Sequence, residues 1–143
     1  MTVSAILADK GRKVVTMGPK QALREVCDTL ATHKIGAVVL VDSHGAIAGI
    51  MSERDIVRAL AGEGASALDK PAEAFMSAKV VTCAETETID QVMGRMTSGR
   101  FRHMPVVRDG RLIGVVSIGD VVARRIELAE REAADMRAYI ATA

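Results

Sequence analysis

The strongest constraint on this chain is an internal repeat, because two similar halves predict two copies of one structural unit. Val14-Val15-Thr16 of the first half aligns with Val80-Val81-Thr82 of the second. Later in each half, apolar residues lead into a Ser-x-x-Asp motif, at residues 49–57 (GIMSERDIV) and 114–122 (GVVSIGDVV). The two alignments differ by one residue, which is accounted for by a shorter turn in the second half.

Each half predicts one amphipathic helix between these landmarks. Apolar residues recur at i, i+3, i+4 and i+7, the spacing of one helix face. They are Leu23, Val26, Cys27 and Leu30 in the first half, and Ile89, Val92, Met93 and Met96 in the second. Because Cys27 lies on this stripe, we expect it in the hydrophobic core.

Each half also predicts a β-hairpin followed by a second helix. Residues 37–41 pair with 47–51, and residues 104–107 pair with 112–116. These runs are nearly continuous in Val, Ile and Leu, as expected of strands that are covered on both faces. The connecting turns are DSHG and RDG, and Asp-Gly is a favoured tight-turn pair. The element order of each half is therefore β-α-β-β-α.

This order places the chain in the mixed α/β (α+β) class. A repeat of about 65 residues is marginally stable alone, so we expect the two to pack into one body. We assign the first repeat to residues 1–66 and the second to residues 67–125, joined through a segment rich in Gly and Pro. Residues 126–143 predict a long, exposed, amphipathic C-terminal helix with a single apolar seam.

Composition excludes several classes of function. The chain has 19 basic and 18 acidic residues, with two Phe, one Tyr and no Trp, so it lacks the cationic surface and stacking platforms of a nucleic-acid-binding protein. No apolar run approaches the roughly 18 residues of a membrane span. The N-terminus has no secretory signal pattern, and we expect a cytoplasmic protein. The two Cys and three His lack metal-ligand spacing, so no metal is predicted.

The duplicated Ser-x-x-Asp motif has two interpretations. It can be a helix-capping box, in which the Ser hydroxyl and the Asp carboxylate bind free backbone N–H groups. The usual partner in such a box is Glu or Gln, so Asp in both copies favours an additional task. A carboxylate at a strand-to-helix junction can accept hydrogen bonds from both hydroxyls of a ribose, and the helix N-terminus suits a phosphate.

The tandem arrangement, the Gly-h-h-Ser-x-x-Asp-h-h endings (h, apolar) and the sequence RHMPVV at 102–107 together resemble a pair of CBS domains, a Bateman module. The resemblance covers residues 1 to about 125. It implies two clefts related by a pseudo-two-fold axis. Such clefts often bind AMP, ADP, ATP, NAD(H) or S-adenosylmethionine.

The resemblance also implies roles for individual residues. Asp55 and Asp120 would hold the ribose hydroxyls. The other implied cleft residues are Ser52 and Ser117 beside the ribose or phosphate, Thr16 and Thr82 near the base, and His103, Met104 and Pro105 in the second cleft. For phosphate contacts we select Arg54, Arg102 and His103, since guanidinium groups suit phosphate oxygens. Val39 stands where the family has Pro, which leaves the shape of the first pocket open.

We therefore expect a regulatory module that binds an adenosine nucleotide, senses energy or redox state, and signals to an unknown protein partner. No catalytic residue and no required cofactor are predicted, because neither motif Ser has a recognisable base or a Gly-x-Ser-x-Gly context. The alternative is a ligand-free dimerisation or partner-docking module. Exposed apolar helix faces predict a homodimer in either case.

Overall fold

The computed structural model describes residues 1–142. Its helices and strands follow one another along the chain as α1 (Val3–Lys10), β1 (Thr16–Met17), α2 (Leu23–His33), β2 (Ala37–Val41), β3 (Ile47–Ser52), α3 (Glu53–Glu63), α4 (Ile89–Gly99), β4 (His103–Arg108), β5 (Arg111–Ser117) and α5 (Ile118–Thr142). Two short 3₁₀ helices, Gly64–Asp69 and Ala72–Ala74, lie between α3 and α4.

The mixed fold class is confirmed. The predicted β-α-β-β-α order is present in both halves except for the first strand of the second half. In the first half, β1 pairs parallel with β2, and β2 pairs antiparallel with β3. In the second half, β4 and β5 form the equivalent antiparallel hairpin. The strand that corresponds to β1 is reduced there to a single parallel bridge between Cys83 and Val106.

Both predicted hairpins are present, and no strand end differs from the prediction by more than one residue. The tight turn of the second hairpin places Asp109 at φ 51° and Gly110 at φ 77°. Two consecutive positive φ angles are what a two-residue hairpin turn requires, and Asp-Gly tolerates them. In the longer first turn, Asp42 Oδ1 accepts hydrogen bonds from the backbone N–H groups of His44 and Ala46. These local interactions explain why the turns could be predicted from sequence.

Each half has its own hydrophobic cluster, built on the predicted helix stripe. Leu23, Val26 and Leu30 of α2 are buried in the first cluster. Ile89, Val92 and Met96 of α4 are buried in the second. The placement of Cys27 in the core is wrong, because this residue is only partly buried. It lies at the edge of the stripe, where it lines a surface groove between α2 and α3.

Helix α1, for which the repeat pattern makes no prediction, packs against the second half of the chain. Val3, Ile6 and Leu7 are buried in the second cluster, beside β5 and α5. Conversely, Ala67 and Ala72, from the beginning of the second repeat, are fully buried in the first cluster. Each half is therefore completed by the opening segment of the other, α1 in one case and residues 67–76 in the other. We call these the two crossing segments, and they join the halves into one body.

The glycine that opens each motif allows one of the two crossing segments to approach closely. A Cβ on Gly49 would lie 2.5 Å from Met76 Sδ, and a Cβ on Gly114 would lie 2.6 Å from Leu7 Cδ2. Both distances are far below van der Waals contact, so neither position has room for a side chain. Packing therefore explains the Gly of Gly-h-h-Ser-x-x-Asp.

Helix α5 is continuous from Ile118 to Thr142, so the second helix of the repeat and the C-terminal helix are one element. The predicted boundary at residue 126 has no structural break. The distal part is exposed, including Met136, Tyr139 and Ile140. Among the helices of residues 1–142, none is both long enough and apolar enough to cross a membrane.

Candidate functional site

The two Ser-x-x-Asp motifs lie at equivalent strand-to-helix junctions. At the first, Ser52 N donates to Asp55 Oδ2 over 2.8 Å, and Asp55 N donates to Ser52 Oγ over 3.4 Å. At the second, the corresponding distances between Ser117 and Asp120 are 2.8 Å and 3.1 Å. Both motifs are therefore reciprocal capping boxes, so the capping interpretation is correct as geometry.

Capping uses only one oxygen of each carboxylate. The acceptor is Oδ2 in both Asp55 and Asp120. Among residues 1–142, no protein group donates a hydrogen bond to the Oδ1 atom of either residue. Both side chains are half-buried. Each junction thus keeps a fixed, partly desolvated acceptor, and the two interpretations of the motif are compatible.

The two junctions differ in one ion pair. Lys10, the last residue of α1, donates from Nζ to Asp120 Oδ2 over 2.7 Å and to the carbonyl oxygen of Val115 over 2.8 Å. Burial, the largest single influence, raises the pKa of Asp120, but hydrogen bonds from Lys10 and Ser117 outweigh it and the pKa is lowered. Within the described part of the chain, Asp55 has no corresponding cation. Sequence reasoning missed Lys10, although it begins a basic run (KGRK) just before the first repeat.

His103 lies where the two halves meet. Its Nε2 atom is 3.1 Å from the position that a Cβ would occupy on Gly36 of the first half. Burial is the main cause that lowers the pKa of the ring, and the nearby charge of Lys10 lowers it further, while Glu53 and Asp120 act in the opposite direction. The imidazole is therefore mainly neutral at pH 7, and it can offer a phosphate a hydrogen bond but no full charge.

The arginines chosen for phosphate contacts lie on the surface. Arg54 donates from Nη1 to the carbonyl oxygen of Arg100 over 3.1 Å, which links α3 of the first half to the end of α4. Arg102 is exposed, and its backbone carbonyl accepts from Ile118 N at the start of α5. Arg102 thus lies beside the second junction, and its charge influences His103.

The remaining predicted residues are placed less directly. Thr16 is exposed on β1, where it pairs with Val39, and Thr82 is half-buried beside the bridge at Cys83. The Met104 side chain is completely buried in the second cluster, and Pro105 is buried as well. Their side chains are therefore inside the protein, and the prediction that Met104 and Pro105 line an accessible cleft surface does not fit their burial.

An open hollow of about 330 Å³ adjoins Asp55, and we call it the Asp55 hollow. It is lined by Asp55, Arg58, Ala59, Gly62, Glu63, Phe75 and Ser77. Arg58 contributes a cation and Phe75 an aromatic surface, and sequence reasoning selected neither. Arg58 lies one helical turn after Asp55, and this spacing was the sequence signal that could have identified it. Phe75 comes from one of the two crossing segments, so only the tertiary structure brings it there.

A larger groove of about 610 Å³ lies on the helical side of the first half, and we call it the α2–α3 groove. Its walls are mainly apolar and are formed by Cys27, Leu30, Ala31, Lys34, Ile35, Gly36, Glu53, Ile56 and Val57. None of the residues predicted to bind ligand lies in it. Within residues 1–142, no cluster of His, Cys, Asp or Glu is suited to hold a metal ion.

The CBS domain family matches the chain twice, over residues 4–62 and 72–127. The two ranges correspond to the two halves described above. A solved CBS-domain containing protein from Agrobacterium tumefaciens is 50% identical in sequence. The match covers 87% of this chain and 99% of that one, with a TM-score of 0.86.

Two other solved relatives hold adenosine compounds. A CBS domain protein from Pyrobaculum aerophilum, complexed with AMP, is 31% identical, with 91% of this chain and 99% of that one covered and a TM-score of 0.79. The CBS domain pair of protein MJ0100, in complex with 5′-methylthioadenosine and S-adenosyl-L-methionine, is 30% identical, with 89% and 96% covered and a TM-score of 0.78. The twofold family match and these structures show that the chain belongs to the CBS domain family and carries two of its domains in tandem.

Proposed function

We propose that the chain is a regulatory module that binds an adenosine ligand, with Asp55 and Asp120 each holding ribose hydroxyls through Oδ1. The observation that carries this proposal is the free Oδ1 atom at each capping box. The cap fixes the carboxylate through Oδ2, so no side-chain ordering remains to oppose ligand binding. A preorganised, partly desolvated acceptor of this kind suits a pair of vicinal hydroxyls.

The ligands of the relatives support the adenosine part of the proposal. AMP, 5′-methylthioadenosine and S-adenosyl-L-methionine are the compounds held by two solved CBS proteins. These compounds share adenine and ribose and differ at the 5′ position. A carboxylate that reads the ribose would accept all of them, together with ADP, ATP and NAD(H). Sensing of energy or redox state, and signalling to a protein partner, follow from that ligand class as part of the proposal.

Binding rather than catalysis is the proposed role of the motif serines. Ser52 Oγ accepts from Asp55 N and donates to Asp55 Oδ2 over 3.0 Å. A hydroxyl held in this way serves the helix start, and its proton acceptor is the same Asp55 carboxylate that caps the helix rather than a histidine that would activate it as a nucleophile. We propose that Thr16 and Thr82 lie near the base, and that Arg54 and Arg102 turn toward phosphates when a ligand is present.

A panel of adenosine compounds tests this function. A ligand present at about 100 times its dissociation constant stabilises the folded state by roughly 2.7 kcal/mol. For a chain of this length, the melting temperature should rise by about 5 to 10 °C. AMP, ADP, ATP, NAD+, NADH, S-adenosylmethionine and 5′-methylthioadenosine form the panel, with guanosine monophosphate as the control. No shift with any adenosine compound at millimolar concentration would contradict the proposal.

Apolar surface supports a second candidate, a module that dimerises or docks a partner. Val57, Ile126, Met136 and Ile140 are well exposed, and the α2–α3 groove adds further apolar area. A homodimer would cover such surface and is compatible with ligand binding. Sedimentation equilibrium at micromolar concentration, with and without AMP, separates the cases. A monomer under both conditions would exclude the homodimer.

A further inference from the structure

The two carboxylates that we propose for ribose binding are not equivalent, and Lys10 makes the difference. Its ammonium group lies 2.7 Å from Asp120 Oδ2, on the same carboxylate whose Oδ1 is free. Its side chain is 41% exposed, so it can move without unpacking α1. Any ligand that binds Asp120 therefore lies next to the Lys10 ammonium group. We call the surface around Asp120, Lys10 and His103 the Asp120 cleft.

The charge of the ligand decides whether its interaction with the Lys10 ammonium group is favourable. A ribose bound to Asp120 shares the carboxylate with Lys10 and removes water from the ammonium group. A neutral adenosine derivative offers the ammonium nothing in return, whereas a 5′-phosphate provides a second anion within reach of a flexible lysine. Arg102, which lies beside this junction and forms no ion pair among residues 1–142, adds positive charge to the same cleft.

In the first cleft, the carboxylate has no ion pair of this kind among residues 1–142. The Asp55 hollow carries Arg58 and Glu63 on its wall, so its charges are mixed. In the described part of the chain, no lysine or arginine pairs with Asp55. A ligand there exchanges no ion pair when it binds.

We propose, on the basis of the function given above, that Lys10 determines the ligand class of the Asp120 cleft and selects adenosine ligands with a 5′-phosphate over uncharged ones. The Asp55 cleft accepts both classes, because a ligand there displaces no ion pair and a contact between Arg54 and a phosphate is not required for the ribose to bind. The module can thereby hold two different adenosine compounds at once, one in each cleft.

The experiment compares AMP with adenosine in the full chain, using His103 as a local reporter. Its imidazole lies beside Lys10 and Asp120, so its NMR signals respond to occupancy of this cleft. The ring also adjoins Gly36 and Glu53 of the first half, so titrations repeated in Asp55→Asn remove the response that comes from the first cleft. The signals are assigned with His103→Gln. Titrations are made with the wild-type protein, Lys10→Met, Lys10→Arg and Lys13→Met. Lys13→Met is the matched control, since Lys13 belongs to the same basic run, is exposed and makes no hydrogen bond to Asp120.

In the wild-type protein we expect AMP to bind at least about tenfold more tightly than adenosine. In Lys10→Met, AMP should weaken about tenfold and adenosine should bind equally well or better, because Asp120 loses its competitor. Lys10→Arg and Lys13→Met should keep the preference for AMP. Melting temperatures confirm that each variant is folded.

Two outcomes would overturn the assignment of Lys10. An unchanged ratio of AMP to adenosine affinity in Lys10→Met would show that Lys10 does not discriminate. An equal gain for both ligands would show that Lys10 only blocks Asp120. Failure of the proposed function itself looks different, since neither ligand would then move the His103 signals or the melting temperature of the wild-type protein, and the role of Lys10 would fall with it.

Discussion

The imidazole of His103 packs directly on the backbone of Gly36, with Nε2 3.1 Å from the site of a Cβ. The second half of the chain thus meets the first through a titratable ring and a residue without a side chain. Contact with the first half helps to bury the ring, and burial is the main reason why its pKa lies below 6.5. Protonation of His103 therefore opposes the packing of the halves.

This packing predicts a pH dependence of stability. Because the pKa of His103 is lowered on folding, the unfolded chain binds the proton more readily. The stability that the neutral ring contributes is fully present above about pH 6.5, and it is lost as the pH falls through the lower pKa of the folded state. Urea denaturation between pH 7.5 and pH 5 should show a steeper loss of stability for the wild-type protein than for His103→Gln. Equal slopes for the two proteins would contradict this origin of the pH dependence.

Adding one methyl group to each motif glycine should lower the stability of the protein by different amounts. In Gly49→Ala, the new Cβ would lie 2.9 Å from the carbonyl oxygen of Ser77 as well as close to Met76, and a backbone atom cannot move aside cheaply. In Gly114→Ala, only the Leu7 side chain must shift. We expect losses of about 1 to 3 kcal/mol in the free energy of unfolding, larger for Gly49→Ala.

Gly94→Ala is the matched control for this comparison. Gly94 lies in α4, and apart from its chain neighbours and the backbone of its own helix, no heavy atom of the described residues lies within 4 Å of its Cβ position. The substitution should stabilise the protein by up to about 1 kcal/mol, because Ala favours the helix. Equal effects at all three glycines in chemical denaturation would exclude close packing as the reason for the motif glycines.

Substitution of each motif carboxylate by Asn separates capping from ribose binding. The Asn carbonyl can still accept the N–H of Ser52 or Ser117, which directs its NH₂ group to the position of the free Oδ1. We expect a loss of stability of about 0.3 to 1 kcal/mol from the helix dipole. Ligand affinity should fall roughly tenfold to more than a hundredfold, since a charge-assisted hydrogen bond is lost. We expect Asp120→Asn to weaken the tighter site.

Titration calorimetry of Asp55→Asn and Asp120→Asn, with stoichiometry per chain, measures these effects. Asp135→Asn on the exposed part of α5 controls for the change of net charge and should bind like the wild-type protein. If both motif variants keep full affinity, the two carboxylates serve only as helix caps.

The two cysteines should differ in reactivity. Cys83 is buried in the second cluster, and burial raises the pKa of its thiol to about 11. Cys27 also has a raised pKa, mainly through burial, but it is only partly buried and lines the α2–α3 groove. In native protein, about one equivalent of thiol should therefore react quickly with a disulfide reagent. The second thiol should react only on unfolding.

The Cys27→Ser variant identifies the fast thiol, and its native form should react slowly throughout. A fast phase that persists in this variant would assign the reactivity to Cys83 and contradict the burial described here. Protection of Cys27 at high protein concentration, reversed on dilution, would place the homodimer contact on the α2–α3 groove.

Local patterns explain how much of the fold could be predicted from sequence. The apolar stripes of α2 and α4, both hairpins and both capping boxes rest on interactions between residues close in the chain. The turn at Asp109-Gly110 is one example, because its backbone angles select its residues. The first strand of the second half is weaker than predicted, since only Cys83 makes a ladder contact. Cys27 was misplaced because an edge position of a stripe has the same spacing as a central one.

The sequence by itself determined that two equivalent units exist and that each ends in a Ser-x-x-Asp helix start. Only the tertiary structure decided how these units differ. Helix α1 crosses to the second half, which brings Lys10 onto Asp120, while Phe75 comes to line the hollow beside Asp55. Such contacts join residues far apart in the chain, and they depend on which apolar surface each crossing segment covers. No periodicity encodes that choice, because it is made by packing between segments and not within them.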